Sequence, residues 1–381
     1  MNRIYLDNAA TMPLNEQVYK KMLSVFESYG NPSSVYQTGR EARKLLDKSR
    51  EHVAKAIGAL PSEIYFTSGG TEADNWAIIG AALEKGSGHI ITSSIEHHAV
   101  LHTCAQLEKM GFEVSYLPVD SSGLVSLEDI TNALKEDTFL ISVMYANNEI
   151  GTIQPISEIA KKAQEKGILF HCDAVQAVGH LPLDVKALGV DMLSLSAHKF
   201  GGPKGVGALY IKKGTKIANL INGGAQERGR RAGTENVAGI VGLAEALRIA
   251  NDGIEQKALE TAKKREYLTD RLFGLIPNIK INGNLESRLP GVINITFKGV
   301  SSQALLIRLD RCGVAASAGS ACTSGSLEPS HVLKAIGLSE EDAKNSIRLS
   351  LSNNISEEEL YEAANIIASQ VQEMRGVSGV K

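Results

Sequence analysis

Between Ile64 and Ile211 short apolar runs alternate with helix-patterned segments, and this alternation restricts the fold more than any other feature of the chain. The runs are IYFT (64–67), HIITS (89–93), Glu113–Leu117, FLISVMY (139–145), ILFHC (168–172), Met192–Ser194 and Gly207–Ile211. FLISVMY is nearly all apolar, the signature of a strand covered on both faces. Between the runs lie NWAIIGAAL, a helix from about Ala99, and helical stretches around Leu127–Leu134 and Ile156–Glu165. Such a sequence predicts an α/β fold, a mostly parallel sheet with helices on both faces. Ligands of open α/β sheets collect at the C-terminal ends of the strands, so residues just after each run are the first candidates for chemistry.

After Thr234 the texture changes. A long helical stretch runs from Glu235 to about Leu275, with a bend expected at Asn251-Asp252-Gly253, and ends at Pro277. Strands over Gly291–Phe297 and Ser346–Leu351 and helices over Gln303–Arg311 and Ser356–Arg375 then predict a second, smaller α+β unit. A formal charge of −3 and the lack of a Lys/Arg run argue against a nucleic-acid surface. The opening MNRIYLDNAATMP does not read as a signal peptide, and no apolar run is long enough to span a bilayer. Four scattered cysteines do not make a disulfide framework. A cytoplasmic protein with reduced thiols is the expectation.

Three segments at strand ends carry chemistry. In SLSAHKFGGPKGVG (194–207), Lys199 follows a strand beside Ser196 and His198 and precedes a glycine-rich turn. A lysine so placed is either a Schiff-base nucleophile or an ordinary solvated lysine. In TSGGTE (67–72), a Gly pair and Thr71 open a helix, which suits a phosphate, or makes a plain N-cap at Thr71. In HCDAVQ (171–176), Asp173 ends a strand, where a partly buried carboxylate needs a partner. A pyridinium N–H would be such a partner, and the alternative is a turn-capping Asp. Lysine, aspartate and phosphate site together form the minimal kit for pyridoxal-phosphate chemistry.

These segments belong to a longer series: YLDNAAT, GNPSSVYQTGREAR, FTSGGTEADN, EHHAV, NNEIG, DAVQAVG, SAHKFGGPKGVG, GGAQERGRRAGTENV, GSACTSGSLEPSHVLKAIG and RLSLS. The series resembles the pyridoxal-phosphate-dependent cysteine desulfurases of the NifS/IscS type, in the class-V aminotransferase family, nearly end to end. The resemblance implies fold type I, with a large cofactor-binding domain at 15–255 and a small domain of 1–14 and 256–381 carrying a catalytic cysteine loop. It implies that L-cysteine becomes L-alanine while sulfur passes to an enzyme persulfide. Lys199 would hold pyridoxal 5'-phosphate covalently, Asp173 would pair with the pyridine nitrogen, and Gln176 and Asn148 would lie near the phenolate oxygen. Gly70, Thr71, Ser196 and His198 would hold the phosphate, with Thr234 reaching the partner subunit's phosphate in a homodimer. His97 would stack on the ring and relay protons. Arg348 would bind the substrate carboxylate, bidentate recognition that suits Arg better than Lys, with Asn31 and Asn148 at the same end. Met12, Ala225 and Ala318 depart from the family pattern without removing a group the reaction needs.

Cys322, among small residues and glycines, is the expected sulfur acceptor, whereas Cys104 and Cys172 sit among apolar residues and read as buried; Cys312 is ambiguous. The partners implied are an iron–sulfur scaffold protein or a tRNA-thiolation sulfur acceptor, with contact between Cys322 and a cluster on the scaffold allowed; no membrane and no direct nucleic-acid contact are expected. Rival readings are a class-V aminotransferase of serine or phosphoserine, which has no use for Cys322, and a selenocysteine lyase. A metal-binding module built on His97, His98, His102 and Cys104 in EHHAVLHTC, or a catalytically silent scaffold, would be non-enzymatic alternatives.

Overall fold

A computed structural model describes residues 3–319 and 329–377. Twelve strands are found among them, in chain order: β1 (Ile4–Tyr5), β2 (Ile64–Thr67), β3 (His89–Ser93), β4 (Glu113–Leu117), β5 (Thr138–Ser142), β6 (Leu169–Asp173), β7 (Met192–Ser196), β8 (Gly207–Ile211), β9 (Ile279–Asn282), β10 (Val292–Phe297), β11 (Val314–Ala315) and β12 (Ser346–Ser350). The main sheet runs β2-β8-β7-β6-β5-β3-β4. It is parallel from β4 to β7, while β8 lies antiparallel to both of its neighbours.

The apolar strands explain themselves through the two-residue period of a strand. Ile64 and Phe66 pack into one cluster and Tyr65 into another; Ile141 and Leu140, Leu193 and Met192, Tyr210 and Leu209 divide the same way. Both faces are therefore covered, and a run need not alternate with polar residues.

Helix Val237–Asn251 is buried nearly all round. Two helices without a sequence assignment, Glu16–Phe26 and Gln37–Ala56, pack against it. Gln37–Ala56 is strongly polar in composition but buries Ala42, Leu46 and Val53, one stripe at helical spacing. The expected long helix is two helices, Val237–Asn251 and Ile254–Leu275, broken where the bend was read.

A three-stranded antiparallel sheet, β12-β10-β9, and the parallel pair β1-β11 form the second layer system. Their apolar cluster, from Ile4 and Leu6 to Val371, is separate from those of the main sheet. No helix among the described residues is long and apolar enough to cross a membrane.

Candidate active site

The ends of β2, β6 and β7, the turns after β3 and β5, and the chain's opening segment enclose a cavity of about 180 Å³. It is lined by Gly70, Thr71, His97, Asn148, Asp173, Gln176, Ser196, His198, Lys199 and Arg348, all expected at the site, and also by Ala9, Ala10 and Asp74. A larger opening of about 600 Å³ shares Ala9 and Gln176 with it but holds none of Lys199, Asp173 or Arg348, so the chemistry belongs to the smaller one.

Lys199 closes a short 3-10 turn after β7. Its Nζ donates to the carbonyls of Ala9 (2.8 Å) and Ala10 (2.9 Å), and Gln176 Nε2 donates to the same Ala9 carbonyl (3.0 Å). The opening segment thus aims the amine.

Helix Gly70–Lys85 begins at the cavity with Gly69 as its cap and no side-chain cap bond. Thr71 is therefore inside the first turn, which corrects the N-cap alternative. Glu72 instead accepts from the Ser68 N–H (2.8 Å) while bound by Arg231. First-turn N–H groups have no intrahelical partners, so this end can hold an anion. A Cβ on Gly70 would stand 2.7 Å from Val175 Cγ2, so a side chain there would fill the cradle.

Arg348, on β12 and 1% exposed, reaches the cavity from the second sheet. Nη1 donates to the Asn148 carbonyl and Nη2 to Asp7 Oδ1, each at 2.7 Å. Its Nε has no partner among the described residues, leaving that N–H for a carboxylate.

Burial pushes Asp173 up to about 6, although the Val175 N–H and the Lys199 charge pull it down. One helical turn beyond Gly70, Asp74 is 1% exposed, with Oδ1 unpartnered and 3.6 Å from His171 Nε2. Burial first, then the Asp173 charge, holds Asp74 well above the usual carboxylate range. His97 caps helix His98–Lys109; its Nδ1 accepts from the Ala99 N–H (3.1 Å), which leaves the ring proton on Nε2. Burial and then the Lys199 charge depress His97 to about 4, and the same causes depress His198 to about 4. Burial holds His171 at about 3. All three rings are neutral at pH 7.

These residues fit pyridoxal 5'-phosphate: an amine, a buried carboxylate opposite a helix N-terminus, a glycine cradle, and a neutral imidazole.

Asn31 and Thr234 do not line the cavity; both are exposed, and Asn31 Oδ1 accepts from the Ser33 N–H (2.9 Å). Cys322 lies outside the described residues. Burial pushes the Cys104 thiol up to about 12 and raises that of Cys172 as well, so neither supplies a thiolate at neutral pH. His98 lies 4.9 Å from His102 and 4.7 Å from His331, ring centre to ring centre. No group of three or more His, Cys, Asp or Glu among the described residues is arranged to hold a metal ion. Sequence reasoning missed Asp7, though it sits inside the YLDNAAT motif, and Asp74, whose signal is an acid on the apolar face of TEADNWAII. The Ala9 and Ala10 carbonyls carry no side-chain signal at all.

The class-V aminotransferase family model matches residues 4–362. The cysteine desulfurase IscS of Methanosarcina thermophila is 52% identical over 379 residues, covering 98% of this chain and 93% of that protein. Among solved structures, a NifS-like protein superposes with a TM-score of 0.92 at 42% identity, covering 97% of this chain and 100% of that one. A protein solved as SspA in complex with cysteine gives a TM-score of 0.81 at 38% identity, covering 92% of this chain and 99% of that one.

Proposed function

The chain belongs to the class-V aminotransferase family, among its cysteine desulfurases of the NifS/IscS type, and we propose that Lys199, Arg348 and Cys322 carry its reaction. It is a pyridoxal 5'-phosphate enzyme that converts L-cysteine to L-alanine. The observation that carries the assignment of residues is the meeting, in one cavity, of the Lys199 amine, the Asp173 carboxylate, the Gly70 helix end and Arg348.

Lys199 would hold the cofactor, Asp173 would pair with its ring nitrogen, Gly70, Thr71, Ser196 and His198 would hold its phosphate, and Asn148 and Gln176 would serve its oxygen. When bound, pyridoxal 5'-phosphate supplies the electron sink that makes the substrate α-proton removable. Arg348, oriented by Asp7 and the Asn148 carbonyl, binds the substrate carboxylate, with Asn31 assigned to the same end. Lys199 Nζ takes the α-proton. His97, neutral at pH 7, would be the residue to carry a proton, at Nε2. The Cys322 thiolate attacks the substrate Sγ: an S–S bond forms, the Cβ–Sγ bond breaks, and the electron pair stays on carbon. That carbon takes up a proton and leaves as alanine, and Cys322 keeps the persulfide.

The finer assignments are these. The acceptor is an iron–sulfur scaffold or a tRNA-thiolation protein that takes sulfur from Cys322. The active form is a homodimer in which Thr234 completes the partner subunit's phosphate site. The exposure of Thr234 supports this, as do the exposed Tyr19, Leu23 and Phe26 on helix Glu16–Phe26 and the exposed Tyr29, Val35 and Tyr36 just after it. Residues 15–255 form one domain and 1–14 with 256–381 the other, a division that the separate apolar clusters support.

Release of alanine from L-cysteine, in step with sulfur and without a keto acid, tests the reading. Cys322→Ala is expected to keep the cofactor band and to release almost no sulfur. Normal turnover in that variant would reject Cys322, and a keto-acid requirement would point to an aminotransferase.

A further inference from the structure

The opening segment meets the Lys199 amine through backbone carbonyls, and a side chain that holds this backbone in place, Ser350, has no part in the reaction above. Ser350 ends β12, two residues beyond Arg348, so both side chains stand on one face of the strand. It is 1% exposed. Its Oγ accepts from the Ala9 N–H (2.9 Å) and donates to the Leu6 carbonyl (3.4 Å). Its own carbonyl accepts from the Asn8 N–H (3.2 Å) and from Asn8 Nδ2 (2.9 Å), and its N–H donates to the Leu6 carbonyl (2.7 Å).

Between these anchors and the cavity the chain makes one tight turn. The Ala10 N–H donates to the Asp7 carbonyl (3.0 Å), while Arg348 holds Asp7 Oδ1 from the same face of β12. Just past the turn, the Met12 N–H donates to the His198 carbonyl (2.9 Å), and Thr11 Oγ1 lies 3.2 Å from His198 Nδ1. Ala9 and Ala10 are thus set between β12 and the lysine turn, where their carbonyls take Lys199 Nζ. Ala9 is bound on both sides: its N–H by Ser350, its carbonyl by Lys199 and Gln176. Without the Ser350 hydroxyl the Ala9 N–H, in a residue 6% exposed, loses that acceptor. Buried N–H groups rarely stay unpaired, so the turn would shift toward another acceptor.

We propose that Ser350 is a positioning residue for Lys199: by fixing Ala9 from the strand that carries Arg348, it sets where the Ala9 and Ala10 carbonyls hold the amine. The inference rests on Lys199 being the residue that holds the cofactor and takes the α-proton. A carbonyl displaced by about 1 Å takes the amine with it, and a misplacement of that size costs up to about 100-fold in rate.

The test compares the full-length wild type with Ser350→Ala, which removes one oxygen and adds no bulk to the strand, and with Ser350→Cys, a weaker acceptor of similar size. Three quantities are read: the rate at which cofactor-free protein takes up pyridoxal 5'-phosphate, from the visible band; the exchange of the α-hydrogen of saturating L-alanine for solvent deuterium, per loaded site; and the L-alanine concentration that half-saturates the exchange. Ser350→Ala is expected to slow uptake and exchange by about tenfold or more, with Ser350→Cys between it and the wild type. Half-saturation should stay within about twofold, because the Arg348 contacts are untouched. Asn8→Ala serves as the control: it removes side-chain bonds to the Tyr5 and Ser350 carbonyls but leaves the Ala9 N–H on its acceptor, and exchange should stay within about threefold of the wild type. Unchanged exchange in Ser350→Ala overturns the proposal. So does slowing matched by an equal rise in half-saturation, or equal slowing in Asn8→Ala, which would show a general loosening rather than loss of aim. A wild-type protein whose cofactor, fixed by borohydride reduction, is not found on Lys199 by mass spectrometry removes the reading beneath it.

Discussion

Replacing Glu227 by alanine strands Arg50 in the protein interior. The two side chains are 10% and 2% exposed and form a two-pronged pair, Nη1 to Oε2 and Nη2 to Oε1, both 2.7 Å. Oε2 also accepts from the Phe66 N–H on β2 (2.9 Å). After the substitution Arg50 keeps only the Ile64 carbonyl (2.7 Å) and the face of Phe66, 4.7 Å away. Removing one partner of a buried pair costs about 3–5 kcal/mol, and the orphaned Phe66 N–H adds to it, so a loss of about 4–6 kcal/mol is expected. Removing both partners, Arg50→Met with Glu227→Ala, removes the stranded charge. The double variant should therefore be more stable than either single variant by at least about 1 kcal/mol. Urea midpoints at one protein concentration, with cofactor content followed in parallel, give all four corners of the cycle. Glu227→Ala within about 1 kcal/mol of the wild type, or a double variant as unstable as the sum of the singles, would refute the reasoning. Because Glu227 also anchors the segment that carries Thr234, cofactor retention should fall with stability.

Arg348→Lys replaces a planar donor set, two of whose nitrogens are committed to Asn148 and Asp7, by a single ammonium. The KM for L-cysteine should rise about 100-fold with a smaller change in kcat, read from steady-state alanine formation; an unchanged KM would place the substrate carboxylate elsewhere. His171 has a folded pKa of about 3 against 6.5 in the unfolded chain. The native state binds fewer protons between those values, so the stabilisation is full above pH 6.5 and is lost as pH falls toward 3, by up to about 5 kcal/mol. Asp173, raised from 3.8 to about 6, acts with the opposite sign, opposing stability above pH 6 by about 3 kcal/mol. His171→Gln leaves the Asp173 contribution in place, so its urea midpoints between pH 4 and 7 should rise less with pH than those of the wild type; equal slopes would show that His171 does not titrate as its burial demands.

The main sheet is legible in the sequence because all its strands but β4, exposed along most of its length, are covered on both faces and read as largely apolar runs at βαβ spacing, and the cavity residues follow those runs directly. The helices at 16–26 and 37–56 were not legible. Gln37–Ala56 shows a polar composition, and its narrow stripe of Ala42, Leu46 and Val53 has meaning only once Val237–Asn251, apolar nearly all round, needs a cover. Lys199 and Asp173 could be picked from local pattern, whereas Asp7 and Asp74 could not, since their partners lie far along the chain: Arg348 and Asp173. Thr234 and Asn31 differ again. Both are exposed and neither lines the cavity, so no property of the cavity accounts for them.

The site divides by chemistry along the seam between the sheets. Lys199, Asp173 and the Gly70 helix end belong to the main sheet, and they would serve any reaction that needs an electron sink beside an amine. Arg348, proposed to take the substrate carboxylate, comes from the other side, on β12. The two sides meet through short polar contacts, Arg348 to Asn148 and Asp7 at 2.7 Å and Ser330 to Glu149 at 2.5 Å. Hydrogen bonds of this length do not survive a displacement of about 1 Å in good geometry, and neither does an aligned attack on sulfur. A shift between the sheets would therefore break the Arg348 and the Ser330 contacts together, and the proposed carboxylate site with them.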